Sequence, residues 1–410
     1  MSIREGYKQT EVGVIPEEWK VVLLEDIAAF KNGKGHEQFI DENGQFIVIN
    51  SKFISTDGEV HKSSNENLSP LIIGDIAMVM SDIPNGRALA KCFLVKTNNK
   101  YTLNQRICSL TPKKDDSLFL YYMLNRNPYF LKFNDGVNQT NLRKNEVLEC
   151  KIPLPPLPEQ QKIAEILSTV DQKIDSIDSK IEETQTLKRG LMQRLLSEGI
   201  GHSEFKESEI GRIPMGWEVT RISDLATVNP ESLSNSTEPN LEIEYIDIAS
   251  IQQTGTIATT NMFLFSEAPS RARRLVKQND VLLSTVRPNL KSFAIVKEKK
   301  ENLVCSTGYA VLRSKEQTYY EYIYQFLLTD LFMDQVNKML VGSNYPAINN
   351  DDVKKILIPF PPLDEQKQIA EILSTTDEKL ETLRTKKEAF ETLKKGLMQK
   401  LLSGEVRVNP

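Results

Sequence analysis

No stretch of this 410-residue chain approaches the ~18 consecutive apolar residues that a membrane span requires. The opening MSIREGYKQT has no apolar segment of the kind a secretory leader carries, so the expectation is a cytoplasmic protein with no membrane partner. Cysteine is scarce. Cys92, Cys108, Cys150 and Cys305 are scattered with no CxxC, which excludes a disulfide framework and fits a reducing compartment. The three histidines, His36, His61 and His202, lie far apart with no metal-ligand spacing to Cys or acids, and are expected at the surface. Gly33-Lys34-Gly35 stops short of GxGxxG, and no GxxxxGK[ST] occurs. Asn127-Pro128-Tyr129 lacks the second proline that an adenine methyltransferase motif needs, and no nuclease-type cluster of acids and lysine stands out. The sequence therefore offers no catalytic residues, no metal ligands and no cofactor site of its own. The chain reads as a binder.

What is present is first a segregation of charge. The net charge is −5, which does not announce a nucleic-acid partner. From Ile83 to Lys114, however, there is no Asp or Glu, while Arg87, Lys91, Lys96, Lys100, Arg106, Lys113 and Lys114 are all there. In the second half Arg271, Arg273, Arg274, Lys277, Arg287, Lys291 and Lys297 meet only Asp280 before Glu298.

The chain is also duplicated. PPLPEQQKIAEILSTVDQK (155–173) returns as PPLDEQKQIAEILSTTDEK (361–379), and LKRGLMQRLLS (187–197) as LKKGLMQKLLS (393–403), both 206 residues on. A shorter box, YKQTEVGVIPEEW (7–19), returns as FKESEIGRIPMGW (205–217), 198 residues on. Between the boxes the halves diverge. One scaffold is thus expected to present two different surfaces.

The boxes predict two long helices. Pro153, Pro155, Pro156 and Pro158 forbid helix before them, and no Pro or Gly follows between Glu159 and Gly190. Ile174, Ile177, Ile181, Leu191 and Leu195 fit an a/d heptad with Thr184 and Lys188 in the gaps. Leu380, Leu383, Phe390, Leu397 and Leu401 repeat it, with Lys387 and Lys394 in the gaps. Each apolar stripe is a surface that the other copy can bury in an antiparallel, coiled-coil-like pair, giving an internal pseudo-twofold. Roughly 38 residues make a rod of about 57 Å, against about 34 Å for a turn of B-DNA. The helices alone equally fit a coiled coil that only stabilises or dimerises the chain.

The inserts read as mixed α/β. FIVIN (46–50), IAMVM (76–80) and CFLVK (92–96) predict short strands, answered by IEYIDIA (243–249), VLLST (281–285) and FAIVK (293–297). SLFLYYML (117–124) and YYEYIYQFLL (319–328) predict amphipathic helices whose aromatics serve the core. The expected fold class is α+β: two α/β domains separated by two long antiparallel helices. The expected domains are residues 1–152, a helical region at 153–200, residues 201–358, and a second helical region at 359–410.

With each of these boxes present twice around divergent inserts, the chain resembles the specificity subunit of type I restriction–modification systems over nearly its whole length. The resemblance implies two target recognition domains, each reading one half of a bipartite, asymmetric site on double-stranded DNA. It implies that the helices set the spacer and recruit two methyltransferase subunits, with restriction/translocase subunits completing the complex. S-adenosylmethionine, ATP and Mg would then be used by those partners, not by this chain. A non-DNA-reading assembly scaffold built on the helices is the alternative.

Contact residues are not named by the resemblance. Lys and Arg can neutralise phosphates, and Arg suits the paired acceptors of guanine. That makes Arg87, Lys91, Arg271, Arg273, Arg274, Arg287 and Lys291 candidates, with a solvated basic face as the alternative. GVNQTNLRKNEV (136–147) and GSNYPAINNDDV (342–353) align at the 206-residue offset but differ in their polar residues. Asn138, Gln139, Asn141, Arg143 and Lys144 in one copy face Ser343, Asn344, Tyr345 and Asn349 in the other. Base and phosphate contact is one reading of them, and turn chemistry before a strand is the other.

Overall fold

The structure is a computed structural model, and it describes residues 3–83, 86–251, 255–340 and 346–409. The chain forms two compact units. The first comprises residues 1–178 and 385–410, the second residues 179–384, so each unit takes a part of both long helices.

Inserts with almost no sequence in common fold to one plan. In the first unit Lys20–Leu23 pairs antiparallel with Lys151–Leu154, so the insert is closed by its own ends. Glu218–Arg221 and Leu357–Phe360 do the same in the second. Next comes a four-stranded antiparallel sheet. Its order is Ala28–Asn32, Ile107–Pro112, Ile76–Val79, Cys92–Leu94 in one unit. In the other it is Ala226–Val228, Tyr309–Ser314, Val281–Ser284, Phe293–Ile295. The central strands IAMV and VLLS are buried at every position, because the sheet is covered on both faces. Ile76 and Met78 face the helix Ser117–Leu124, while Ala77 and Val79 face a second cluster around Phe53 and Tyr101.

A smaller sheet follows in each unit. Phe46–Ile49 runs parallel to Tyr101–Leu103 and antiparallel to Lys62–Ser64. Glu242–Ile246 stands in the same relation to Leu303–Ser306 and Asn261–Leu264. Here the units differ. In the second, Ala272–Leu275 adds a strand to Leu303–Ser306, where the first has a lone bridge between Pro70 and Thr102.

The long helices are Leu157–Leu195 (39 residues) and Leu363–Leu402 (40 residues). In both, the EQxxIAxIL residues are buried: Ile163, Ala164 and Leu167, then Ile369, Ala370 and Leu373. Burying each of the larger of these side chains stabilises its unit by roughly 1.5–3 kcal/mol. The predicted heptad positions form the less exposed face. Ile177, Leu195, Leu380 and Leu401 are buried, and Ile174, Ile181, Leu191, Leu383, Phe390 and Leu397 are half-buried. The helical segments run antiparallel within each unit. In the first, Lys394 pairs with Asp171 and Lys387 with Asp178, both at 2.6 Å. In the second, Lys188 pairs with Asp377 in the same register.

The repeated boxes meet in a clasp. Trp19 is fully buried and donates its indole N–H to Glu159 at 3.0 Å, while Arg407 binds both oxygens of that carboxylate. In the second unit Trp217 donates to Glu365 at 2.9 Å, and His202 with the Ile200 amide takes the place of Arg407. The neighbouring glutamines tie the helix to the insert. Gln160 accepts from the Asp116 amide and Gln366 from the Tyr319 amide. Repetition in these boxes therefore preserves buried polar partners, each of which would cost free energy if left unpaired.

One expectation is corrected here. His36 is fully buried, its Nε2 2.8 Å from the Thr102 hydroxyl and its Nδ1 2.7 Å from the Lys34 carbonyl. Its burial was not legible in sequence because Thr102 lies 66 residues away and meets His36 only after folding.

Candidate nucleic-acid interface

In the first unit Ser81–Asp82 pairs antiparallel with Thr140–Asn141, Ser81 opposite Asn141. This short ladder brings the start of the basic stretch beside the polar segment that precedes the long helix. The Asp82 carboxylate accepts from the amides of Ile83, Ala88 and Leu89 at 2.7–3.0 Å, closing a loop that carries exposed Arg87. A second loop is closed by Asp135, whose carboxylate accepts from the Asn138 amide and side chain and the Val137 amide. Those bonds, the Asn138 amide foremost, hold the Asp135 pKa down at about 2. The two loops present Arg87, Asn138, Gln139, Asn141, Arg143 and Lys144, all exposed.

Between them lies a network of side chains. Gln139 donates to the Ser81 hydroxyl at 2.9 Å, and that hydroxyl donates to the Asn141 side-chain oxygen at 2.6 Å. Lys91 is not part of this surface. It pairs with Asp57 at 3.0 Å and donates to the Ser55 carbonyl, at the end of the helix Ser51–Ser55.

The second unit reproduces the backbone of this place with other side chains. Val286 bridges Ala347, the Arg287 amide donates to the Pro346 carbonyl, and the Ile348 amide to the Thr285 carbonyl. Arg287 is exposed there, in a left-handed conformation (φ 49°) that a non-glycine residue adopts at some cost. Ser343, Asn344 and Tyr345 lie outside the described residues. Asn349 caps the helix Asn350–Lys355, its side-chain oxygen accepting from the Asp351 and Asp352 amides.

The remaining second-unit candidates are held in other ways. Arg271 is exposed at the start of the additional strand. Arg273 lies over the Phe265 ring, 4.8 Å from its centroid, and donates to the Ala272 carbonyl. Arg274 is half-buried, its Nη2 3.5 Å from the Asn350 side-chain oxygen and its buried Nη1 without a partner among the described residues, and burial pushes its pKa down. Lys291 donates to the Leu328 carbonyl and so caps the helix Tyr320–Leu327. The structure thus brings Arg87 together with residues 138–144, and Arg287 with residues 346–349; Lys91, Arg273 and Lys291 are engaged by partners outside those two places, and Arg274 reaches Asn350 at the edge of the second.

Sequence reasoning missed four residues at the first of these places: Ser81, Asp82, Ile83 and Val137. Ile83 and Val137 are the exposed apolar flanks, 68% and 75% accessible. The available signal was the turn-forming Asp-Ile-Pro-Asn-Gly (82–86) directly after an apolar strand.

Among the described residues no group of three or more His, Cys, Asp or Glu could hold a metal ion, and no helix is long and apolar enough to cross a membrane. The cysteines are all buried, and burial raises the Cys108, Cys150 and Cys305 thiols to about 12.

The family model described as type I restriction modification DNA specificity domain matches this chain twice, at residues 16–186 and 214–392. A type I restriction enzyme MjaX specificity subunit from Methanocaldococcus jannaschii is 32% identical, over 98% of this chain and 97% of its own. The solved S subunit of a type I restriction–modification system from M. genitalium superimposes with a TM-score of 0.62 at 15% identity, over 98% of both chains. A chain from a study of complex assembly and conformational transition of the type I R-M system gives 0.55 at 17%, over 96% of this chain and 99% of that one. The duplicated clasp and the two inserts of one plan correspond to these two matched domains. The chain belongs to the type I restriction–modification DNA specificity family.

Proposed function

We propose that this chain is the DNA-recognition subunit of a type I restriction–modification complex. Each α/β insert reads one half of a bipartite, asymmetric site, and the paired helices set the spacer between the halves. The same helices recruit two methyltransferase subunits, and restriction/translocase subunits join that assembly. S-adenosylmethionine, ATP and Mg are used by those partners, and the complex works in the cytoplasm on double-stranded DNA.

One observation carries this reading. Two units share a backbone plan down to the strand pair at Ser81–Asn141 and Val286–Ala347, yet place different side chains on it. The clasp is kept in both copies while the inserts, this place included, carry different side chains, as two different half-sites require. The ion pairs that lock the helical segments in one antiparallel register support a fixed spacer.

The test is a domain exchange. Replacing residues 218–355 by the insert of a relative, with the methyltransferase subunits present, should alter one half-site of the methylated sequence and leave the other intact. Inserting residues near Ser179 should change only the spacer. An assembly scaffold predicts no sequence preference in either experiment, and a change in both half-sites would refute the modular reading.

A further inference from the structure

The network at Ser81 fixes the polarity of two exposed amides. Asn141 uses its side-chain oxygen on the Ser81 hydroxyl, and Gln139 uses its Nε2 on that hydroxyl and, at 3.4 Å, on the same Asn141 oxygen. Ser81 itself is buried. What remains turned to solvent is the Gln139 carbonyl oxygen, an acceptor, and the Asn141 amide nitrogen, a donor. If the relay runs the other way, with Asn141 donating to Ser81 and Ser81 to Gln139, the outward pair is again one donor and one acceptor. One hydroxyl proton cannot serve two carbonyls, and if both amides donated to Ser81 their NH2 groups would face each other across the 3.4 Å contact, so the outward pair is one donor and one acceptor.

From this geometry, and resting on the DNA-reading function proposed above, we infer that Ser81, Gln139 and Asn141 form a base-reading head selective for adenine in the major groove. Adenine offers an acceptor at N7 beside a donor at N6, which matches one donor and one acceptor; guanine offers two acceptors and leaves the Gln139 oxygen facing another oxygen. Ile83 and Val137 flank the head as exposed apolar side chains, the type that contacts a thymine methyl group. In the second unit Val286 and Ala347 occupy the equivalent strand pair and supply no such amides. The pairing of Ser81 with Asn141 therefore belongs to the first unit.

The experiment uses the full chain with its methyltransferase subunits and a library of randomised duplexes. The wild-type complex should prefer adenine over guanine at one position of one half-site by about 5-fold to 150-fold, the range for a well-placed pair of hydrogen bonds. Ser81→Ala, Gln139→Ala and Asn141→Ala should each relax that same position and no other. Wild-type binding should also weaken when 7-deazaadenine or purine replaces that adenine, a measurement that does not depend on any variant folding. Specific binding by the wild type with unchanged preferences in all three variants, or indifference to both modified bases, overturns the reading head while leaving the proposed function standing. Absence of any sequence preference in the wild-type complex overturns the function itself.

Discussion

Lys394 and Asp171 form an ion pair of 2.6 Å in the first unit, and the same two repeat positions, exchanged between copies, give Lys188 and Asp377 in the second. Each aspartate has a further donor from its own insert: the Tyr122 hydroxyl on Asp171 at 2.6 Å and the Gln325 amide on Asp377 at 3.1 Å. The carboxylate therefore joins three elements, the two helical segments and the insert helix. Asp171→Asn keeps the shape but removes the charge from two partners. It should destabilise the protein by roughly 1.5–3 kcal/mol, the usual range for hydrogen bonds to charged groups. Lys394→Ala should cost less, about 1 kcal/mol, since the pair is partly solvated. Denaturant unfolding of both single variants and the double would give a coupling energy well above zero; strict additivity would mean that the pair is decorative.

The segment after the second long helix is an integral part of the first unit. Arg407, three residues from the last, donates to both oxygens of Glu159 and to Glu18 at 2.8 Å. Glu159 is almost wholly buried, and its other partner is the Trp19 indole. Arg407→Ala leaves that charge half-compensated, so a loss of roughly 2–4 kcal/mol is expected despite the terminal position. Arg407→Ala combined with Glu159→Gln should recover part of it, because the buried charge is gone. Thermal unfolding of the two variants distinguishes this clasp from an ordinary surface pair, for which both changes would be near neutral.

The helices and their boxes were legible in sequence because each rests on a local rule: prolines that forbid helix, then a heptad, then the same again 206 residues later. The shared plan of the inserts was legible only in part. IAMVM and VLLST read correctly as strands, and FIVIN was matched with IEYIDIA, but nothing in sequence announces that Ala272–Leu275 adds a strand to the second unit alone. The candidate surface was least legible. Gln139 and Ser81 meet across 58 residues of chain, and Asn349, equally polar, is consumed in capping a helix. Residue type alone cannot separate these two fates, since both are hydrogen bonds an amide makes well.

Gly190 and Gly396 occupy matched positions inside the long helices, and a Cβ at either would meet nothing within 4 Å. Glycine in a helix interior costs about 0.5–1 kcal/mol relative to alanine. Gly190→Ala and Gly396→Ala should therefore each stabilise the isolated chain by about 0.4–1 kcal/mol. A rise in melting temperature for both variants checks this, and a fall would mean that the backbone there departs from the helix described.

Alkaline pH should unfold the protein ahead of neutral heat. Burial holds the Tyr122, Tyr309 and Tyr322 phenols above their ordinary value, Asp171 adding to the effect at Tyr122 and Glu365 at Tyr322. In the unfolded chain these groups ionise near pH ~10. A folded-state pKa above the unfolded one means that the stabilisation is complete below pH ~10 and is lost as pH climbs past it. Each such tyrosine contributes about 1.4 kcal/mol per pH unit in that window. Phenolate absorbance should show some of the 12 tyrosines titrating reversibly and these three only together with loss of far-ultraviolet helix signal.

Arg143 and Lys144 flank the Ser81 network and are exposed, with no ion pair among the described residues; Lys144 lies 5.7 Å from the Phe30 ring centroid. Their cationic side chains, at the start of the helix Lys144–Leu148, suit phosphate contact. Arg143→Ala and Lys144→Ala should weaken DNA binding by the whole complex equally for preferred and unrelated duplexes. Each should reduce the slope of log affinity against log salt by about 1, the signature of one lost phosphate contact. Ser81→Ala should do the reverse, changing base preference with the salt slope intact. Titration of both duplex types across a salt series separates the two roles: a variant at Arg143 that shifted base preference, or one at Ser81 that flattened the slope, would require the positioning and reading residues to be reassigned.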